Sequence, residues 1–243
     1  MKFRKSWLQG SDRVVKISFS LSAEKIINDE ELILKELAVE KSLYCLTCDF
    51  EGLKRFAEAF HFVRYDFCHL NFIVGERCCD REFLWGGLAK NIYEELGGKN
   101  GQSHNQLYRD FLASIGARED VFLEEPEFAS QYNRALQTYC RQAPIPEALF
   151  AIAIYEAFDI PDYQLLLRVV KQAGVSQQGL RFFQVHAVAN HFEMFEDVVT
   201  WLRQQEGGET AFHRAKEFVF KIQTKMWCGL IEHLQEQTTD CCV

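Results

Sequence analysis

The chain has 243 residues, of which 48% are apolar, enough for a sizeable core in one large domain or two small ones. A net charge of −8 and a pI near 5.4 argue against nucleic acid and anionic membranes as partners, because both repel the average charge of the protein. A local basic patch (Lys2, Arg4, Lys5, Arg13, Lys16) opens the chain without the apolar segment of a signal peptide, and no apolar run reaches membrane-spanning length, so the sequence reads as soluble and cytoplasmic.

Only four prolines and fourteen glycines punctuate the sequence, which suits long helices better than an all-β sandwich. Nine cysteines, an odd number, fit a reducing compartment. Cys45-x-x-Cys48 is half of a zinc-ligand pattern, which the vicinal pairs Cys78-Cys79 and Cys241-Cys242 do not complete; buried small hydrophobes are the plainer reading.

Helical spacing of Leu32, Leu34, Leu37, Val39 and Leu43 predicts a first helix over about Asp29 to Cys45, and Asp49 is placed to cap a second, running to about Val74. The second is rich in aromatics: Phe56, Phe60, Phe62, Tyr65, Phe67 and Phe72. Asp80 opens a third that stops at Gly97-Gly98, and Ser103 and Gly116 bound a fourth. A helix from about Glu125 to Gln142 ends at "APIP". "PEALFAIAIYEAF" is apolar almost all round and marks a buried helix, after which Pro161 is expected to restart the chain through a kink or short loop. A long helix from Gly179 to about Gln205 follows, then "GGE" and a final helix. No internal repeat and no strand-period segment is apparent. The expected fold class is therefore all-α, a single domain over residues 1–243 built from about eight antiparallel helices.

Polar residues sit where such a bundle would bury them. On an unbroken helix His186, Asn190, Glu193 and Asp197 share one face. Glu156 is the only charge between Glu147 and Asp159 in the apolar helix; it either lies at a solvated helix end or, if buried, requires a cation: an arginine, a histidine or a metal ion. Glu95 and His104 fall on adjacent helix ends. Facing helices that project Glu and His inward are how bundle di-iron sites are assembled.

These segments carry a family likeness. "NIYEELGGKNGQSHNQLYRDFLASIG" (91–116), "YEAFDIPDY" (155–163), "FFQVHAVANHFE" (182–193) and the aromatic helix "LKRFAEAFHFVRYDF" (53–67) resemble, in order, blocks of the haem-oxygenase-like helical superfamily. That superfamily includes the TenA thiaminases, the PqqC synthases and the di-iron oxidases typified by the chlamydial protein CADD, and the likeness is to the CADD-like branch. It covers residues 53–199, with a family-like body expected over about 29–235. The resemblance implies metal ligands at Glu95, His104, Glu156 and His186. At the next two ligand positions it finds Asn190 where the family has Asp and Glu193 where it has His. His191 lies about 140° round an unbroken helix from His186, so it joins the stripe only if the helix distorts. Glu94 and Asp197 read as solvated.

The resemblance further implies an oxidoreductase that binds one or two iron ions, or manganese, and oxidises a small organic substrate with O2 in a cavity lined by aromatic side chains, in a homodimer. Two other functions follow from the changes at Asn190 and Glu193: a metal-free PqqC- or TenA-like enzyme, or a non-catalytic ligand-binding protein with a degenerate site. TenA-like hydrolysis needs a nucleophilic cysteine, and nothing around Cys68, Cys140 or Cys228 singles one out.

Overall fold

A computed structural model describes residues 4–8, 15–19, 21–64, 67–98, 101–119 and 122–239. The basic side chains of the N-terminus, Tyr65 and the Cys241-Cys242 pair lie outside the described residues. The body is helical, as expected, with eleven α-helices and one short 3-10 helix among the described residues rather than about eight. Ahead of it stands a feature the sequence did not signal, a two-stranded antiparallel ribbon of β1 (Arg4–Leu8) and β2 (Val15–Phe19), with Arg4 opposite Phe19 and Leu8 opposite Val15.

The extra helices come from breaks. The first expected helix divides into α1 (Leu21–Glu36) and α2 (Val39–Leu46) at Ala38, whose φ of 52° is left-handed. The second is described in two pieces, α3 (Phe50–Arg64) and α4 (Phe67–Arg77), and Asp49 begins α3 by accepting a hydrogen bond from the Gly52 N–H at 2.7 Å. Helix α5 (Glu82–Glu95) ends where expected, at Gly97 and Gly98, both at positive φ. Helix α6 (His104–Ile115) lies between the Ser103 cap, which accepts from Gln106 N–H, and Gly116 at φ 67°.

After α7 (Glu127–Gln142), α8 runs unbroken from Ile145 to Gln172, straight through Pro161. An interior proline costs a helix about 3 kcal/mol. Here α8 is the centre of the molecule, wrapped by α1, α2, α4, α7, α9 (Gln177–His186) and α11 (Gly208–Thr239), and that packing outweighs the cost. Phe150 and Phe158 of α8 meet Phe212 and Phe220 of α11 edge-on at 5.3 and 4.8 Å, pairs worth about 0.5–1.5 kcal/mol each beyond the area they bury.

The expected helix from Gly179 to Gln205 is corrected most heavily. Helix α9 ends at His186, residues 187–190 form a turn, a 3-10 helix covers His191–Met194, and α10 spans Glu196–Arg203. Asn190, at φ −97° and ψ 70°, is out of the helical region, so the 3.6-residue period is lost just where the polar stripe was expected.

Candidate metal centre

Glu95 closes α5 and His104 opens α6; the turn between them, begun by the two positive-φ glycines, sets His104 Nδ1 2.8 Å from Glu95 Oε1. His186 arrives as the last residue of α9, its ring 4.4 Å from that of His104. A glycine at 179 lets α9 lie this close to α6, because a Cβ there would sit 2.2 Å from Ser114 Oγ. One donor atom from each of Glu95, His104 and His186 falls within 4.8 Å of the others.

A second group of three faces the first. Glu156 and Asp159 stand one turn apart on α8, and His191, opening the 3-10 helix, brings Nδ1 to 3.1 Å from Glu156 Oε2 and 3.3 Å from Asp159 Oδ2. Neither approach is a well-aligned hydrogen bond, so the pairing is one of charge and proximity. The His191 ring lies 6.0 Å from His104 and 6.3 Å from His186, which joins the two groups into one site. All six residues are buried, with exposures of 1 to 9%.

Neighbouring groups hold the six in place. The Phe182 carbonyl accepts from His186 Nδ1 at 2.8 Å, which leaves Nε2 as the lone-pair nitrogen of that ring. The Asn91 amide, one turn before Glu95 on α5, donates to Glu156 Oε1. The ring of Tyr163 stacks on His186 at 4.4 Å, with Phe182 and Phe183 completing an aromatic wall.

Burial raises the Glu156 carboxyl to about 7, against the pull of His191 beside it. For His191 burial works the other way and favours the neutral ring, but the two adjacent carboxyls outweigh it and its pKa lies well above the ordinary value. The site therefore carries protons at neutral pH that a bound cation would replace.

Of the residues implied by the resemblance, Glu95, His104, Glu156 and His186 are brought together. Glu193 is not. It is exposed on the 3-10 helix, and the break after His186 is the reason, because it turns His191 inward and Glu193 outward. Asn190, half-buried, sits on the turn just before His191 and outside both groups, while Asp197 is exposed and Glu94 half-buried. Two members lie outside the set the resemblance implies, Asp159 and the His191 that only a distorted helix admits. Asp159 had a legible signal in the spacing Glu156-x-x-Asp159, which puts two carboxylates on one face of an apolar helix. His191 depends on a break that neither glycine nor proline announces. No cysteine belongs to either group, and Cys45 and Cys48 are exposed.

Carboxylate and imidazole donors without thiolate suit iron or manganese. Their burial, and the carbonyl that fixes the His186 tautomer, are what a resident ion of that kind requires. The comparisons with known proteins agree. A family model described as an iron-containing redox enzyme matches residues 54–220, more than half of the chain. No curated protein sequence matches. Two crystal structures of a CADD-like protein of unknown function from Nostoc punctiforme, at 1.35 and 2.00 Å resolution, are similar in fold. Both have a TM-score of 0.71, at 15 and 16% identity, covering 90 and 89% of this chain and 98 and 99% of theirs.

Proposed function

The chain belongs to the haem-oxygenase-like family of iron-containing redox enzymes, and on that premise we propose that it is a non-haem iron oxidase acting on a small organic substrate with O2. Glu95, His104 and His186 would hold one ion, and Glu156, Asp159 and His191 a second. The observation that carries this reading is the pair of buried donor groups, each with its three donor atoms within 4.8 Å. With Asp159 and His191 the set again contains three carboxylates and three imidazoles, the composition the resemblance implies, so the changes at Asn190 and Glu193 need not mean loss of the site.

Bound iron supplies the electrons that let O2 react with an organic bond. The chain's own residues do the rest. Phe182 and Asn91 fix His186 and Glu156 in orientation, so little reorganisation is needed when an ion enters. Burial and the aromatic wall of Tyr163, Phe182 and Phe183 keep bulk water from the centre. Among the described residues no helix is long and apolar enough to cross a membrane. A cytoplasmic homodimer of single-domain chains is part of the proposal, and light scattering of the purified protein tests the dimer.

The test of function is metal content followed by oxygen uptake. Protein purified without chelators should carry iron or manganese, and the iron-loaded form should consume O2. His186→Ala and Glu156→Ala should reduce both. Metal at trace level in the parent chain, with no optical change on adding Fe(II) and O2, would count against the proposal.

A further inference from the structure

Cys45 and Cys48 stand at the end of α2, and both are exposed. Cysteine is among the residue types most often buried, so packing does not account for this pair as it does for Cys78 and Cys140, which lie in the core. The Cys78 thiol also donates to the Val74 carbonyl at 3.1 Å. Among the described residues no hydrogen bond engages either thiol of the exposed pair. Nor is a zinc site completed there: among the described residues no histidine, acid or third cysteine joins the two in a group able to hold a metal ion.

The chain between the two cysteines is a tight turn held from both sides. Leu46 is the last helical residue and Thr47 follows at φ −116° and ψ 21°, so residues 45 to 48 close a turn whose end Cα atoms are less than about 7 Å apart. A disulfide spans about 4.4–6.8 Å between Cα atoms, so the bond fits the turn as it stands. Thr47 fixes the turn by donating both its hydroxyl and its N–H to the Leu43 carbonyl, at 2.8 and 2.9 Å. On the far side α3 begins against it, because a Cβ on Gly52 would sit 2.1 Å from the Leu46 carbonyl oxygen. Two thiols presented on a fixed turn lose little freedom when they join, which favours the bond between them over bonds to separate partners.

We propose that Cys45 and Cys48 form a reversible thiol–disulfide site that equilibrates with small thiols of the glutathione class. One thiolate attacks the small disulfide and displaces one small thiol, leaving a mixed disulfide; the second cysteine then attacks the sulfur of the first and displaces the other. The protein S–S bond forms, the small S–S bond breaks, and two electrons and two protons pass from the cysteines to two small thiols. Exposed disulfides are the labile kind, so the bond opens and closes with the thiol balance of the surroundings. The site does not depend on the oxidase reading.

The test equilibrates the full-length chain with glutathione and its disulfide, anaerobically and with a chelator present, then quenches in acid and digests with trypsin. Cleavage after Lys41 and Lys54 puts Cys45 and Cys48 alone in one peptide, and cleavage after Arg77 and Arg81 puts Cys78 and Cys79 in another. With thiol and disulfide each at about 1 mM, about half or more of the first peptide should be lighter by two hydrogens. Adding reductant should restore the full mass, and the Cys78-Cys79 peptide should show no such loss. Cys48→Ser should abolish the loss and leave Cys45 carrying one glutathione, with the melting transition kept. A first peptide that keeps both thiols, or carries a separate glutathione on each cysteine, overturns the inference, as does equal closure of the Cys78-Cys79 peptide.

Discussion

His191 Nδ1 stands 3.1 Å from Glu156 Oε2, although an unbroken helix would carry His191 well away from the face that His186 presents. The break at residues 187–190 thus decides which histidine and which acid enter the centre. His191→Ala should cost about half of the bound metal, and Glu193→Ala should cost none, both read by elemental analysis. Equal loss from the two variants would mean that the helix re-forms when metal binds.

Asn91 acts through Glu156, whose Oε1 its amide holds. Residues in such a supporting position typically change metal affinity by about 10–100-fold. Asn91→Leu should weaken iron binding within that range while the melting transition persists, read by titration with Fe(II).

Metal binding should be acid-sensitive. Burial puts the Glu156 carboxyl at about 7, and its carboxyl neighbours hold His191 protonated above the ordinary imidazole range, so an ion must displace a proton from each. Iron affinity should therefore rise with pH across about 6 to 8. A titration with Fe(II) in buffers spanning that window checks it, and a flat profile contradicts it.

The stability of the metal-free protein should run the opposite way. Burial lifts Glu30 from 4.5 to about 7, so it is protonated more readily in the folded than in the unfolded chain. Its contribution is fully present below about pH 4.5 and is lost as pH rises through about 7. Asp162, raised by burial and by Glu30, acts in the same direction. The melting temperature should fall between pH 5 and pH 8, and Glu30→Gln should flatten the fall.

Gly179→Ala tests the approach of α9 to α6. The new Cβ would meet Ser114 Oγ at 2.2 Å, and overpacking of this kind costs about 1–3 kcal/mol. Adding Ser114→Ala should restore part of the loss, both in melting temperature and in metal retained by His104 and His186.

The helix ends written in local chemistry were legible: Asp49, Ser103, Gly97, Gly98 and Gly116 all do what their residue types predict. Those decided by packing were not. Ala38 adopts a left-handed turn that alanine does not advertise, and Pro161 stays inside α8 because the helix is buried on every side from Glu156 to Tyr163. The centre divides in the same way. Glu95, His104, Glu156 and His186 stand on regular helices and follow from periodicity and family likeness. Asp159 is legible in its spacing from Glu156. His191 became accessible to the centre only through a helix break, which periodicity cannot express.

The most direct test is where iron sits. Crystals grown anaerobically with Fe(II) and measured at the iron absorption edge should give two anomalous peaks per chain, one among Glu95, His104 and His186 and one among Glu156, Asp159 and His191. Peaks absent from both groups, or a peak on Asn190 and Glu193 with His191 outside its coordination sphere, would contradict the account.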